Sequence, residues 1–306
     1  MAAEAVSATM VGMSTDKPAR GAARDGFRGP VADMTDEAAA RLARAAATGI
    51  PCTPVRDLIG ADDVPRAYRV QGLLVTGWLA AGTRRVGRKI GLTAPAVQAQ
   101  LGVGQPDFGV LLASMRVGQD EPVASGRLLQ PRIEAEVAFV LGRDIAGTDP
   151  GIDEVASAVA TARPALEIVD SRIAGWDITI ADTVADNASC GLFVLGDAEV
   201  PLGAFDPVAV SMTLQQDGEE VSSGTGAACL GNPLNALAWL AATAAAYGDP
   251  LRAGEIVLSG ALGPMVPVRA GARYEASLSG LGKVRAAFAP DDACLGLGAV
   301  SGRERR

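Results

Sequence analysis

Hydrophobic positions recur every three or four residues in two N-terminal stretches. In the first, Ala38, Leu42, Ala45 and Ala46 form one stripe, which predicts a helix. Thr35 is placed to N-cap it, Asp36 and Glu37 suit its first turn, and Gly49 and Pro51 close it. The second helix is predicted over Val64–Ala80, on Ala67, Val70, Leu74 and Trp78, and Gly82 ends it. The period then changes. Val86–Thr93 reads as a short strand, and Thr93 can cap a helix carrying Val97 and Leu101 that stops at Gly102. Gln105-Pro106-Asp107-Phe108-Gly109 reads as a turn. Pro131–Val140, rich in Val, Ile and Phe, reads as a buried strand. A helix follows around Ile152–Ala162, then a strand over Pro164–Val169, a polar loop over Asp182–Ser189 and an apolar strand over Leu192–Leu195. Further on are a strand over Val208–Gln215, a turn at Gly218, and a helix that starts at Asn232-Pro233 and runs to Gly248. Ile256–Ser259, Val266–Val268, Tyr274–Leu278 and Gly282–Phe288 predict four short strands of one antiparallel or barrel-like unit.

The Pro131–Val140 strand carries two carboxylates. Strand side chains alternate between faces, so Glu134 and Glu136 point the same way, with Cα atoms about 7 Å apart. Two like charges on one face of an apolar strand are costly unless a cation lies between them or that face is wet. A divalent metal is the simplest account. Glu167, inside the next strand, is the third carboxylate, although an edge position with its head in solvent would also explain it. An all-carboxylate set suits Mg²⁺, Mn²⁺ or Ca²⁺ and not zinc. Lys89, flanked by Gly87 and Gly91, and Asp107 form a second group. Glycines beside a lysine allow a ligand close to the backbone. Taken singly, Lys89 reads as a surface lysine and Asp107 as a turn residue, and spacing does not join either to the glutamates.

Composition narrows the chemistry. The 306 residues are 49% hydrophobic and 20% charged, which fits a packed globular chain of one large or two ordinary domains. A net charge of −8 and 4% aromatics speak against nucleic acid as a partner. Cys52, Cys190, Cys229 and Cys294 form no C-x-x-C pair, so reduced cytoplasmic thiols are expected. The sequence contains no histidine, which excludes histidine triads, histidine ligands and a histidine general base. No membrane span, secretory signal or internal repeat is visible. Residues 1–33 read as a disordered extension, with Met34 an alternative start. Residues 34–290 read as a single catalytic domain with a helical part over about 34–82, and 291–306 as a tail.

Several stretches resemble the 2-oxopent-4-enoate (2-hydroxypenta-2,4-dienoate) hydratases of the fumarylacetoacetate hydrolase superfamily. They are Gly87-Arg88-Lys89-Ile90-Gly91-Leu92-Thr93, Gln105–Gly109, Leu129–Glu136, Pro164–Ile173, Asp182–Gly191, Glu220–Gly224 and Gly260–Val266. The resemblance implies an α+β fold: a mixed β-roll or barrel-like core with peripheral helices. It implies Mg²⁺ or Mn²⁺ on Glu134, Glu136 and Glu167, and a proton-transfer pair Lys89 and Asp107, ion-paired, with the lysine positioned by the aspartate or passing the proton itself. The implied reaction adds water to 2-hydroxypenta-2,4-dienoate, giving 4-hydroxy-2-oxopentanoate, in aromatic meta-cleavage catabolism. The superfamily's hydrolases use a catalytic histidine, which this chain lacks. The alternatives are the sister enzyme 4-oxalocrotonate decarboxylase and a non-catalytic partner subunit. A homo-oligomer, associated with the pathway aldolase or decarboxylase, follows from the same resemblance.

Overall fold

Arg132–Leu141 forms β4, a central strand of the larger of two sheets. The computed structural model describes residues 34–94, 98, 104–119 and 121–291. The readings for 1–33, for most of the Thr93–Gly102 helix and for the tail from 292 onward, including Cys294, fall outside those residues. The larger sheet runs β2 (Asp107–Leu112), β1 (Arg85–Gly91), β9 (Ile256–Ala261), β4, β5 (Val159–Val169), β6 (Cys190–Leu195) and β3 (Arg116–Val117), with β10 (Val266–Pro267) paired to β4. It is mixed: β1 and β9 run parallel, as do β3 and β6, and the other pairs are antiparallel. The second sheet has the order β12 (Gly282–Ala287), β11 (Arg273–Leu278), β7 (Ser211–Gln216) and β8 (Glu219–Thr225).

The two faces of β4 do different jobs. Ile133, Ala135, Val137 and Phe139 enter the main core, which they share with Met212, Leu214, Tyr274 and Val284 of the second sheet. Ala138, on the face of Glu134 and Glu136, packs instead with Leu111, Ala165, Phe193 and Leu258, inside the curl of the larger sheet. Asn187 closes that curl. Its amide accepts from Val110 N at 2.8 Å and donates to Val110 O at 3.0 Å, tying β2 to the segment that enters β6. Asn187, Ala188 and Ser189 all have left-handed φ, of 54°, 52° and 54°. Three such residues in a row cost on the order of 1–2 kcal/mol each, so the surrounding contacts must hold them.

The helices are α1 (Thr35–Thr48), α2 (Arg56–Ile59), α3 (Val64–Ala80), α4 (Ile152–Ala158), α5 (Ile180–Ala185) and α6 (Pro233–Ala246). Leu42 of α1 and Val70 and Leu74 of α3 pack with Ala181 and Val184 of α5 in a separate apolar cluster. Buried Gln71 anchors α3, its amide donating to Phe108 O at 2.9 Å and Val184 O at 3.0 Å. Asp63 caps α3 by accepting from Arg66 N, and Asn232 caps α6 by accepting from Leu234 N. No helix among the described residues is long and apolar enough to cross a membrane.

Five expectations need correction. Thr35 is the first residue of α1, and Met34 holds the capping position without a side-chain bond. Asp107 is not a turn residue: it opens β2, whose six residues are all buried. The Ile152–Ala162 helix stops at Ala158, and β-branched Val159 begins an eleven-residue strand. Asp182–Ser189 is not a loop but buried helix and 3-10 turn, because its polar groups are satisfied internally. The four C-terminal strands are not one unit, since β9 and β10 join the larger sheet while β11 and β12 join the smaller.

Candidate active site

Strand register places the carboxylates. Glu134 and Glu136 share a face of β4, and Glu134 stands directly opposite Glu167 across the β4–β5 ladder. Ligand oxygens of the three glutamates lie within 4.8 Å of one another. Glu136 and Glu167 are sealed from solvent, while Glu134 lines a cavity of about 350 Å³. One oxygen of Glu136 accepts from Gly260 N at 2.7 Å, a bond that uses the φ of +108° available at glycine. The other oxygen of Glu136 and both oxygens of Glu167 have no hydrogen-bond partner among the described residues. Buried carboxylate oxygens without a hydrogen-bond donor are expensive to ionise. Burial first, then Glu167, pushes Glu134 up to about 7. Burial, Glu167 and Glu134 hold Glu136 well above the usual carboxylate range. Glu167 is also raised by burial, against the pull of Lys89. This donor set fits an oxygen-coordinated divalent cation, whose charge would offset the repulsion among the three carboxylates.

The lysine comes from the other side of the curl. Its strand, β1, lies three places from β5 in the sheet order, a span of about 14 Å if the sheet were flat. Yet Lys89 Nζ is 3.4 Å from Glu167 Oε1. Burial by itself would lower the lysine, but Glu167, Cys190, Asp107 and Glu134 overcome it and hold the ammonium above the ordinary range. The expected Lys89–Asp107 ion pair is corrected here: the charge partner within 4 Å is Glu167, and Asp107 acts through space. Asp107 Oδ2 accepts from the Thr183 hydroxyl at 3.2 Å, and its Oδ1 has no partner among the described residues. Burial raises this carboxyl above its usual range, opposed by Lys89 and Thr183.

The glycines around the lysine make room for protein, not for ligand. Lys89 stands opposite Gly109 and Asp107 opposite Gly91 across the β1–β2 ladder, so the two charged side chains are diagonal neighbours on one face. A methyl group at Gly91 would fall 2.2 Å from Asp107 Oδ1 and 3.3 Å from Lys89 Nζ, and one at Gly87 would fall 1.8 Å from the carbonyl oxygen of Ile256. Gly91→Ala is therefore expected to displace the Asp107 carboxylate and lower turnover roughly 100-fold while leaving metal affinity unchanged. Paired steady-state kinetics and metal titration measure both. Turnover within a factor of about three would show that the Asp107 position is not critical.

The structure brings all five expected residues, Lys89, Asp107, Glu134, Glu136 and Glu167, to one site. Sequence reasoning missed four others that line the cavity: Arg132, Trp176, Thr183 and Ser189. Thr183 and Ser189 share a hydroxyl contact at 3.4 Å next to Asp107. They lie in the Asp182–Gly191 motif, whose polar composition resembled a loop. Arg132 was visible two residues before Glu134 on the same strand face.

The segment 83–289 matches the protein family described as fumarylacetoacetate (FAA) hydrolase, C-terminal. The chain is 54% identical over 257 residues to 2-keto-4-pentenoate hydratase 2 of Dechloromonas aromatica, covering 84% of this chain and 98% of that one. It is 53% identical over 253 residues to the TodF product hydratase of Pseudomonas putida, covering 83% and 94%. Among solved structures it is similar to 4-oxalocrotonate decarboxylase from Pseudomonas putida G7 complexed with magnesium and adipate, with a TM-score of 0.81, 31% identity and coverage of 83% and 97%.

Proposed function

Since the chain belongs to the fumarylacetoacetate hydrolase family and stands with its 2-keto-4-pentenoate hydratases, we propose that Glu134, Glu136, Glu167, Lys89 and Asp107 are the working groups of a hydratase site. The protein is a hydro-lyase. Its substrate is 2-hydroxypenta-2,4-dienoate, the enol form of 2-keto-4-pentenoate. A proton is added at C5 and water at C4, giving 4-hydroxy-2-oxopentanoate. The observation that carries the assignment is the meeting of three glutamates and one buried ammonium at the cavity.

Glu134, Glu136 and Glu167 would hold a divalent metal, Mg²⁺ or Mn²⁺. When bound, the ion supplies Lewis acidity to the substrate oxygens. Lys89, kept cationic, stabilises the negative charge that develops on the substrate's 2-oxygen. Asp107 has the features of a proton carrier. Its carboxyl is raised by burial, one buried oxygen has no hydrogen-bond partner among the described residues, and the Thr183 hydroxyl holds the other. The cavity is the size of a small-molecule site. The same reading puts the enzyme in the cytoplasm as a homo-oligomer in aromatic meta-cleavage catabolism, beside the pathway aldolase and decarboxylase, with 34–290 as its catalytic domain.

The test is a two-substrate assay. The purified protein with Mg²⁺ or Mn²⁺ is expected to consume 2-hydroxypenta-2,4-dienoate and to leave 2-oxo-3-hexenedioate largely untouched. Faster consumption of the dicarboxylate with release of carbon dioxide would make it a decarboxylase. No turnover of either compound would favour the partner-subunit alternative.

A further inference from the structure

Arg132 opens β4 and lines the cavity beside Lys89 and Glu134. Among the described residues its guanidinium has no hydrogen-bond or ion-pair partner, whereas Lys89, the other cation lining the cavity, is engaged by Glu167. What Arg132 does contact is the ring of Trp176, 4.6 Å from its centroid. Stacking on an aromatic face fixes the plane of a guanidinium and leaves its edge N–H donors free.

The ring is held there deliberately. Trp176 has a φ of 58° and follows Gly175 at 65°, a left-handed conformation that is costly for a bulky side chain. Gln130 pins the turn: Trp176 Nε1 donates to its carbonyl at 3.1 Å, and Gly175 N donates to its Oε1 at 2.7 Å. Gln130 is in turn fixed by its own N–H, which donates to buried Asp170 at 2.6 Å. A chain of specific contacts thus spends backbone strain to set one side chain against Arg132.

Charge gives the reason. Asp107, Glu134, Glu136 and Glu167 gather four carboxylates at the site. Counted as ionised, they outweigh Lys89 and a divalent cation by one unit, so an anionic substrate would enter a net negative cavity. Arg132 cancels that unit. We propose that Arg132 binds the carboxylate of the 2-oxoacid substrate and that Trp176 is its positioning residue. The planar fork of arginine matches a carboxylate, and the contact is made in substrate and transition state alike, so it serves binding rather than the chemical step. The inference rests on the hydratase reading for its substrate class.

The experiment uses the metal-loaded protein and two readouts: calorimetric binding of 2-oxopentanoate, the saturated and unreactive analogue, and steady-state kinetics with 2-hydroxypenta-2,4-dienoate. Arg132→Gln is expected to weaken analogue binding and raise KM roughly 10- to 100-fold, the range for a hydrogen bond to a charged group. Its kcat should stay within about threefold of the parent, the signature of uniform binding. Arg132→Lys keeps the charge without the fork and should fall between the two. Trp176→Leu should raise KM by roughly 3- to 10-fold, in line with a cation–π contact. Analogue binding by Arg132→Gln within about twofold of the parent, or a fall in kcat at constant KM, overturns the proposal. If Arg132→Gln does not fold, Arg132→Lys decides, and binding equal to the parent overturns the proposal. A parent that binds the analogue but hydrates no dienoate sinks the hydratase reading and leaves the Arg132 arms interpretable. A parent that does not bind the analogue sinks the Arg132 proposal.

Discussion

Lys89→Met is expected to lower turnover by roughly 10²- to 10⁴-fold, the range for loss of a positioned acid–base or charge-stabilising group. Metal affinity should be retained or rise, because the ammonium 3.4 Å from Glu167 competes with a metal for that carboxylate. Methionine preserves the apolar stem in a position that is 4% exposed, so packing changes little. Without metal the variant should melt below the parent, since removing one partner of a buried ion pair strands the other charge, at a cost of about 3–5 kcal/mol. Added metal should recover most of that loss by supplying the missing positive charge. Single-turnover kinetics with metal titration separates these effects. A variant that turned over within tenfold of the parent (about 1.4 kcal/mol) would remove Lys89 from the chemistry.

Glu136→Gln is expected to weaken metal binding by roughly 100-fold or more, since loss of a ligand exceeds the 10- to 100-fold typical of a residue that merely supports one. Its effect on the metal-free protein should have the opposite sign. Burial and two neighbouring carboxylates hold Glu136 well above the usual range, so a neutral amide relieves the metal-free fold. The pH dependence follows from the same crowding. Glu134 rises from 4.5 to about 7 in the folded chain, so between those values the native state binds more protons than the unfolded state. Stability of the metal-free protein therefore falls as pH rises through that window. Metal displaces the bound protons, so its affinity weakens as pH drops below about 7. Thermal melts with and without chelator from about pH 5 to 8 should show the gap widening with pH. A metal-free melting point that climbs across the window would contradict this account of the triad.

Part of the site was legible because β-strand period is local. Two residues apart on an apolar run is enough to put Glu134 and Glu136 on one face, and Glu167 sits in a recognisable strand. Asp107 was misread because Pro106-Asp107-Phe108-Gly109 has turn composition, yet its glycine serves strand packing: a methyl there would fall 2.4 Å from Asn187 O. Asp182–Ser189 was misread for a related reason. Polar side chains usually mark solvent, but here Asp182 accepts from Val55 N and Arg56 N, each at 2.9 Å, and Asp186 accepts from Arg172 N at 2.9 Å. Such long-range backbone partners leave no mark in composition.

The missing histidines, the paired glutamates and the alternation of helix and strand periods were properties of the chain alone. They pointed to a carboxylate-rich donor set and to most element types, since both follow from residue chemistry and from neighbours a few positions apart. Only the tertiary structure decided that Lys89 reaches Glu167 rather than Asp107, that Arg132 stands against Trp176 with no ion-pair partner among the described residues, and that Gly91 clears space for the Asp107 carboxylate and Gly87 for the Ile256 carbonyl instead of ligand. Those facts depend on how far the larger sheet curls, with Asn187 closing it. The curl is set by packing between strands far apart in sequence, and no local pattern records it.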